Sequence, residues 1–170
     1  MNYTELEQKL GKQTKSDWHQ ASGGGWIHKN AKVENEDNIR GNAIVTGNAK
    51  VSGNAWVSGN AMVYDNAKVA DNARVSGNAK VFGNAKVADD AWVSGNAWVS
   101  GNAMVSGKAW AYDNARVSGN AKVFGNAKVS GDAWVSGDAK VSGNAEVSGN
   151  AWVAFNARVS GNAKVFGNKE

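Results

Sequence analysis

The sequence has no cysteine and no proline, and only two histidines, His19 and His28. Without thiols, neither a disulfide nor a thiolate metal site can form. Two histidines nine residues apart, with no further ligand pattern, do not make a zinc site. Long apolar runs are missing too. The N-terminus has no apolar signal core, and nothing downstream approaches membrane-spanning length, so cytoplasmic synthesis is the expectation. Acids and bases nearly cancel, leaving a net charge of +4 and a pI near 9.3. Residues 1–26 balance Lys9, Lys12 and Lys15 against Glu5, Glu7 and Asp17, so the whole excess lies downstream. At 170 residues, a single domain is expected.

What is present is repetition. From Ile27 an aliphatic residue returns every six positions, through Val33, Ile39, Val45 and Val51 to Val165. Residues 27–170 make 24 hexads without insertion or deletion. Only Ala111 breaks the aliphatic column, and only Asp37 and Lys169 break the alanine column. A period of six fits neither a heptad nor plain strand alternation. It fits a short strand plus a tight corner, three of which close one triangular coil of a parallel β-solenoid. Within Ala-x-Val the alanine and valine point inward and the middle residue outward. Ser-Gly-Asn supplies the corner, because Gly and Asn enter left-handed backbone conformations cheaply. Stacked Asn side chains on successive coils can bond to one another. The core is then a thin prism of Val and Ala, too narrow for a ligand.

Val51, Asn54 and Ala55, with their equivalents along 27–168, resemble the hexapeptide-repeat superfamily: aliphatic first, often Asn fourth, small fifth. The Gly-Asn-Ala-x-Val wording is most similar to uncharacterised bacterial and phage members. The resemblance implies an all-β fold, a left-handed parallel β-helix of about eight coils, left-handed as an exception to the usual crossover rule. Acyltransferases of that superfamily use a catalytic His and loops bulging from the coils, whereas this array has no loops and no His after His28. Its carbonic anhydrases bind zinc through three His, one more than this chain possesses. Ice-binding relatives present threonine ladders, and threonine occurs here only at 4, 14 and 46. Each glycine of the array belongs to a corner, so no phosphate-cradling motif stands out. A non-enzyme with no cofactor and no metal is therefore expected, and an acyltransferase-like role is remote.

The chain divides into residues 1–26, a short helix and Gly-rich hinge serving as cap or tether, and residues 27–170, the repeat array. Thr4 with Glu7 reads as a capping box, Leu6 and Leu10 as an apolar face, Gly11 as the stop, and Ser22 to Gly25 as the hinge. The irregular first coil, with Glu34, Glu36, Asp37 and Arg40, fits a cap contact. The opposite end runs regularly to Asn168 before Lys169 and Glu170; a charged tail that suffices, end-on stacking and a longer polypeptide all remain open. Residues 74–97 and 116–139 differ at only three of 24 positions and lie seven hexads apart, so each copy is rotated by one face. The hexad Gly107 to Tyr112, which loses both Val and Asn, is a candidate local site.

Sorting outward residues by coil gives three ladders. The first carries Lys32, Lys50, Lys68, Lys86, Met104, Lys122, Lys140 and Arg158. The second carries Asn38, Trp56, Arg74, Trp92, Trp110, Lys128, Glu146 and Lys164. The third carries Ile44, Met62, Lys80, Trp98, Arg116, Trp134, Trp152 and Glu170. The cationic ladder is a candidate polyanion face, against the plainer reading that lysine protects exposed strands from aggregation. The candidate aromatic surface is Trp56, Arg74, Trp92 and Trp110 with Trp98, Arg116, Trp134 and Trp152. Its readings are a self-supporting ladder with cation–π contacts, a packing surface for other subunits, or a platform for sugars or bases. Tyr64 and Phe82, on successive rungs of one corner, extend it. The expected function is a structural or assembly module, an oligomer or partner of another protein, in the cytoplasm or a phage or bacterial particle. The alternative is a binding module for an anionic polymer or a glycan.

Overall fold

Alternation at the strand and left-handed backbone at the corner recur through the array, and their repetition closes a prism. In a computed structural model that describes residues 1–167, nearly every hexad from Lys32 onward contributes a two-residue strand and a three-residue corner. Strands pair in parallel with those eighteen residues on, as Lys50 does with Lys68 and Val51 with Val69. Three sheets result. The first face runs from Lys32–Val33 to Arg158–Val159, the second from Trp56–Val57 to Lys164–Gly167. The third begins with β1 (Trp18–Gln20) and β2 (Trp26–His28), then runs from Ile44–Val45 to Trp152–Val153. The chain is a β-solenoid of about eight coils with parallel sheets and one short N-terminal helix.

The core is the expected prism: alanine and valine columns from Ala43 to Val147 are almost wholly buried. Full burial of each valine is worth roughly 1.5–3 kcal/mol, so the coils are held mainly by axial stacking. Ala111 fills its place in the column between Val93 and Val129, fully buried. Each corner turns on one left-handed residue. At Gly101 (φ 67°) a Cβ would come within 3.0 Å of the Gly119 carbonyl, so both conformation and space demand glycine there. Asparagines form ladders along the corners, Asn42 to Asn60 to Asn78 to Asn96 to Asn114, each amide donating to the next. Asp132 accepts from Asn114, but a carboxylate cannot pass the donation on.

The N-terminal segment departs from the sequence reading in three ways. Helix α1 spans Tyr3–Leu10, and its capping box is Asn2 with Glu5, not Thr4 with Glu7. Asn2 accepts from the Glu5 amide at 2.9 Å, and Glu5 accepts from the Asn2 amide at 2.7 Å. Asparagine caps at least as well as threonine, so the helix starts earlier. The glycine run is the tight turn of the antiparallel β1–β2 hairpin. A Cβ at Gly23 or Gly25 would meet the Ile39 carbonyl at 2.6 or 2.9 Å, so these glycines serve close packing and not hinge motion. Residues Glu36–Asn38 form a short 3-10 turn that buries Asn38, and the second ladder therefore begins at Trp56.

Helix α1 lies along the third face. Leu6, Trp18, Trp26 and Ile44 form a second apolar cluster, with Met1, Tyr3, Leu10 and Met62 against it. The Trp26 indole donates to the Met1 carbonyl at 3.0 Å, pinning the chain start. Ala21 from the hairpin turn, with Ile27 and Ile39, belongs to the main core at its N-terminal end. Lys169 and the Glu170 rung lie outside the described residues.

Candidate functional site

Register brings the predicted ladders together. On the first face Lys32, Lys50, Lys68 and Lys86 stand in line, Met104 interrupts, and Lys122, Lys140 and Arg158 follow. Rungs are about 4.8 Å apart, the inter-strand spacing. Among the described residues none of these seven cations makes an ion pair; the lysine pairs are Lys29 with Asp17 and Lys164 with Glu146. Nearby corner acids are engaged with the fold itself. Asp65 accepts from the Gly83 amide, Asp71 from Asp89, Asp89 from Gly107, and Asp90 from Asn72.

The aromatic ladders are in register too, but their rings are largely spoken for. On the second face Arg40, from the irregular first coil, lies 4.1 Å over Trp56. Arg74 stands between Trp56 and Trp92 in register, yet makes no cation–π contact among the described residues. Trp92 meets Trp110 edge-on at 5.2 Å, and Lys128 lies 5.8 Å over Trp110. On the third face Lys80 and Arg116 flank the Trp98 ring at 5.1 and 5.4 Å. Trp134 stacks on Trp152 at 5.6 Å.

Five of the six outward tryptophans share a rule that the sequence reading missed, Trp110 being the exception. Indole N–H groups of Trp92, Trp134 and Trp152 donate to Ser76, Ser118 and Ser136, each sixteen residues earlier, at 2.9–3.1 Å. At the same offset Trp56 finds Arg40, and Trp98 finds Phe82 edge-on at 6.1 Å. The indoles therefore lean back over the corner of the preceding coil. For Trp92, Trp134 and Trp152 the signal was in the sequence, as a serine sixteen residues earlier, but reading it requires the ring's tilt.

The third face is divided. Ile44 and Met62 lie under helix α1, so the open part runs from Lys80 to Trp152. Tyr64 and Phe82 stack at 4.9 Å along its corner with the first face, and burial, then Asp65, raises the Tyr64 phenol above its usual range. At the far end of that corner Phe155 occupies the position held elsewhere by Gly or Asp, with φ 58°. It is 78% exposed and lies 6.5 Å from Trp152, itself 63% exposed.

Two clefts open on this surface. One of about 530 Å³ opens at the N-terminal end, over Ile27, Val33 and Val51, with His19, Glu36 and Lys50 on its rim. His19 and Glu36 are paired there at 2.9 Å. The other, of about 350 Å³, lies on the second face between Arg74, Asp90, Trp92, Lys108 and Trp110, and includes part of the hexad singled out above. Among the described residues no three of His, Asp and Glu gather as metal ligands, and no helix is long and apolar enough to cross a membrane.

A family model described as YdcK beta solenoid repeat matches residues 97–113, about one coil, carrying Trp98, Met104 and Trp110. The chain is a β-solenoid repeat protein. No curated protein matches it. The solenoid match bears on architecture alone, and function rests on what the three faces present.

Proposed function

We propose that the chain is a non-catalytic structural module that assembles with copies of itself through the open part of its third face. Its hexads follow the plan of the hexapeptide-repeat superfamily. The observation that carries the assembly reading is the aromatic row of that face: Trp98 and Trp134, each with a coil on either side, still stand 40 and 41% exposed, surface of a kind soluble proteins seldom leave uncovered. A second copy fits it by symmetry. The rungs read Lys80, Trp98, Arg116, Trp134, Trp152. A two-fold axis between the Arg116 and Trp134 rungs sets Arg116 of each copy against Trp134 of the other, and Trp98 against Trp152. That arrangement is self-complementary, with cation–π contacts at its centre.

The non-catalytic part of the reading is supported by the corners: from Gly41 to Gly161 each is short and tight, and no loop rises to enclose a substrate. A sugar platform along the tryptophans is the weaker reading, because Arg40, Lys80, Arg116 and Lys128 already lie over ring faces. Light scattering at low and high salt tests the assembly. Expected is a concentration-dependent dimer at both, reduced to monomer by Trp152→Ser with Phe155→Gly. A wild type that stays monomeric at millimolar concentration would sink the proposal.

A further inference from the structure

We infer that the first face is a binding track for an extended acidic polysaccharide. Seven of its eight rungs are cationic, in strict register, along one continuous parallel sheet. None is neutralised by an ion pair among the described residues, and the corner acids beside Lys68 and Lys86 are tied to backbone or asparagine groups of neighbouring coils. Packing gives no reason for such a row. Like charges on directly opposed strand positions destabilise a sheet, so it is a cost to the fold that a bound polyanion would remove. Both the second and third faces mix signs or aromatics into their ladders; this face does not.

The geometry selects the class of polyanion. The cations form a line, not a groove, with a step of about 4.8 Å. An extended polyuronate carries a carboxylate on every sugar and advances by roughly one such step per sugar; the twist of the chain turns every second or third carboxylate toward the face, so a single chain lying along it meets several of the cationic rungs at once. A nucleic acid fits less well. Duplex phosphates follow helical strands that cross a straight row, spaced about 3.4 Å per strand along the axis. Proteins that hold single strands stack bases on aromatics within the basic groove, and the first face has no aromatic among its outward rungs. The aromatic corner of Tyr64 and Phe82 instead borders the row at Lys68 and Lys86, where it offers apolar surface to the C–H edge of a sugar. Rigidity helps, because the rungs are fixed by the sheet before the polymer arrives.

The test uses the full chain with polygalacturonate, neutral dextran, duplex DNA and poly(dT), each titrated at several salt concentrations. Expected is binding to polygalacturonate that falls steeply with salt, no binding to dextran, and weaker binding to both nucleic acids. Lys68→Gln with Lys86→Gln, and separately Lys122→Gln with Lys140→Gln, should each weaken polygalacturonate binding at least tenfold and flatten its salt slope. Lys164→Gln, on the second face, should leave both unchanged. All these side chains point outward, and a melting temperature no lower than that of wild type confirms the fold of the variants. Equal binding by the double variants and wild type, no binding to polygalacturonate, or tighter binding to either nucleic acid would overturn the inference. Because the third face is untouched by these changes, their outcome is separate from that of the assembly test.

Discussion

Phe155 holds a backbone conformation that costs an L-residue with a bulky side chain roughly 1–2 kcal/mol. The four aspartates at equivalent corners with positive φ, Asp65, Asp71, Asp89 and Asp113, each recover something, because their carboxylates accept an amide from the next coil. Phenylalanine has no such bond to make. Strain kept without a local return is a mark of function, and here it places an aromatic ring beside Trp152. Phe155→Gly should therefore raise stability by about 1 kcal/mol while weakening self-association. Thermal melts and sedimentation of one variant read both effects. A loss of stability with unchanged association would show that the ring serves its own coil.

Helix α1 illustrates what the pattern could not supply. The solenoid was legible because a fixed period constrains every inward position at once, from Ile27 to Val165. The ladders followed from the same arithmetic, and the register of Lys50 with Lys68 or Trp134 with Trp152 agrees with it. Residues 1–26 have no period, so their reading rested on local signals, and two of these were displaced. Thr4 resembles a cap, but Asn2 gets there first. Three consecutive glycines resemble a hinge, but close approach to Ile39 calls for glycine equally well. That the helix would cover Ile44 and Met62 was not readable from its two leucines. Docking there has a titratable signature. Lys9 is pushed below its usual range, first by burial and then by the charge of Lys80. Its folded pKa is lower than its unfolded one, so the unfolded chain binds more protons between the two, and stability rises with pH across that window. Lys9→Met should thus raise the melting temperature at pH 7, with a gain that fades as pH approaches 10.5 and above. A gain constant with pH would assign the effect to packing alone.

At the scale of the whole rod, core and surface obey different periods. The core repeats every six residues, since any whole hexad keeps Val and Ala inside; the faces repeat every eighteen. The near-identical segments 74–97 and 116–139 already exploit the difference, setting Trp92 on the second face and Trp134 on the third. Two deletions separate fold from function on this basis. Removing residues 87–104, one coil, keeps every face in phase and takes out Met104, so the first face becomes an unbroken row of seven cations. Removing residues 99–104, one hexad, preserves the core equally but turns all later coils by one face. Lys122, Lys140 and Arg158 then move to the third face, and Trp134 and Trp152 to the second. Both proteins should give the wild-type far-UV circular dichroism shape and a single cooperative melt, because neither disturbs the Val and Ala columns. The coil deletion should bind polygalacturonate at least as tightly as wild type. The hexad deletion should lose dimerisation and at least tenfold in polymer affinity. If the hexad deletion, which removes no charged residue and keeps the net charge at +4, bound the polymer as tightly as wild type, net charge alone would be the active quantity and the alignment of the faces would carry no function.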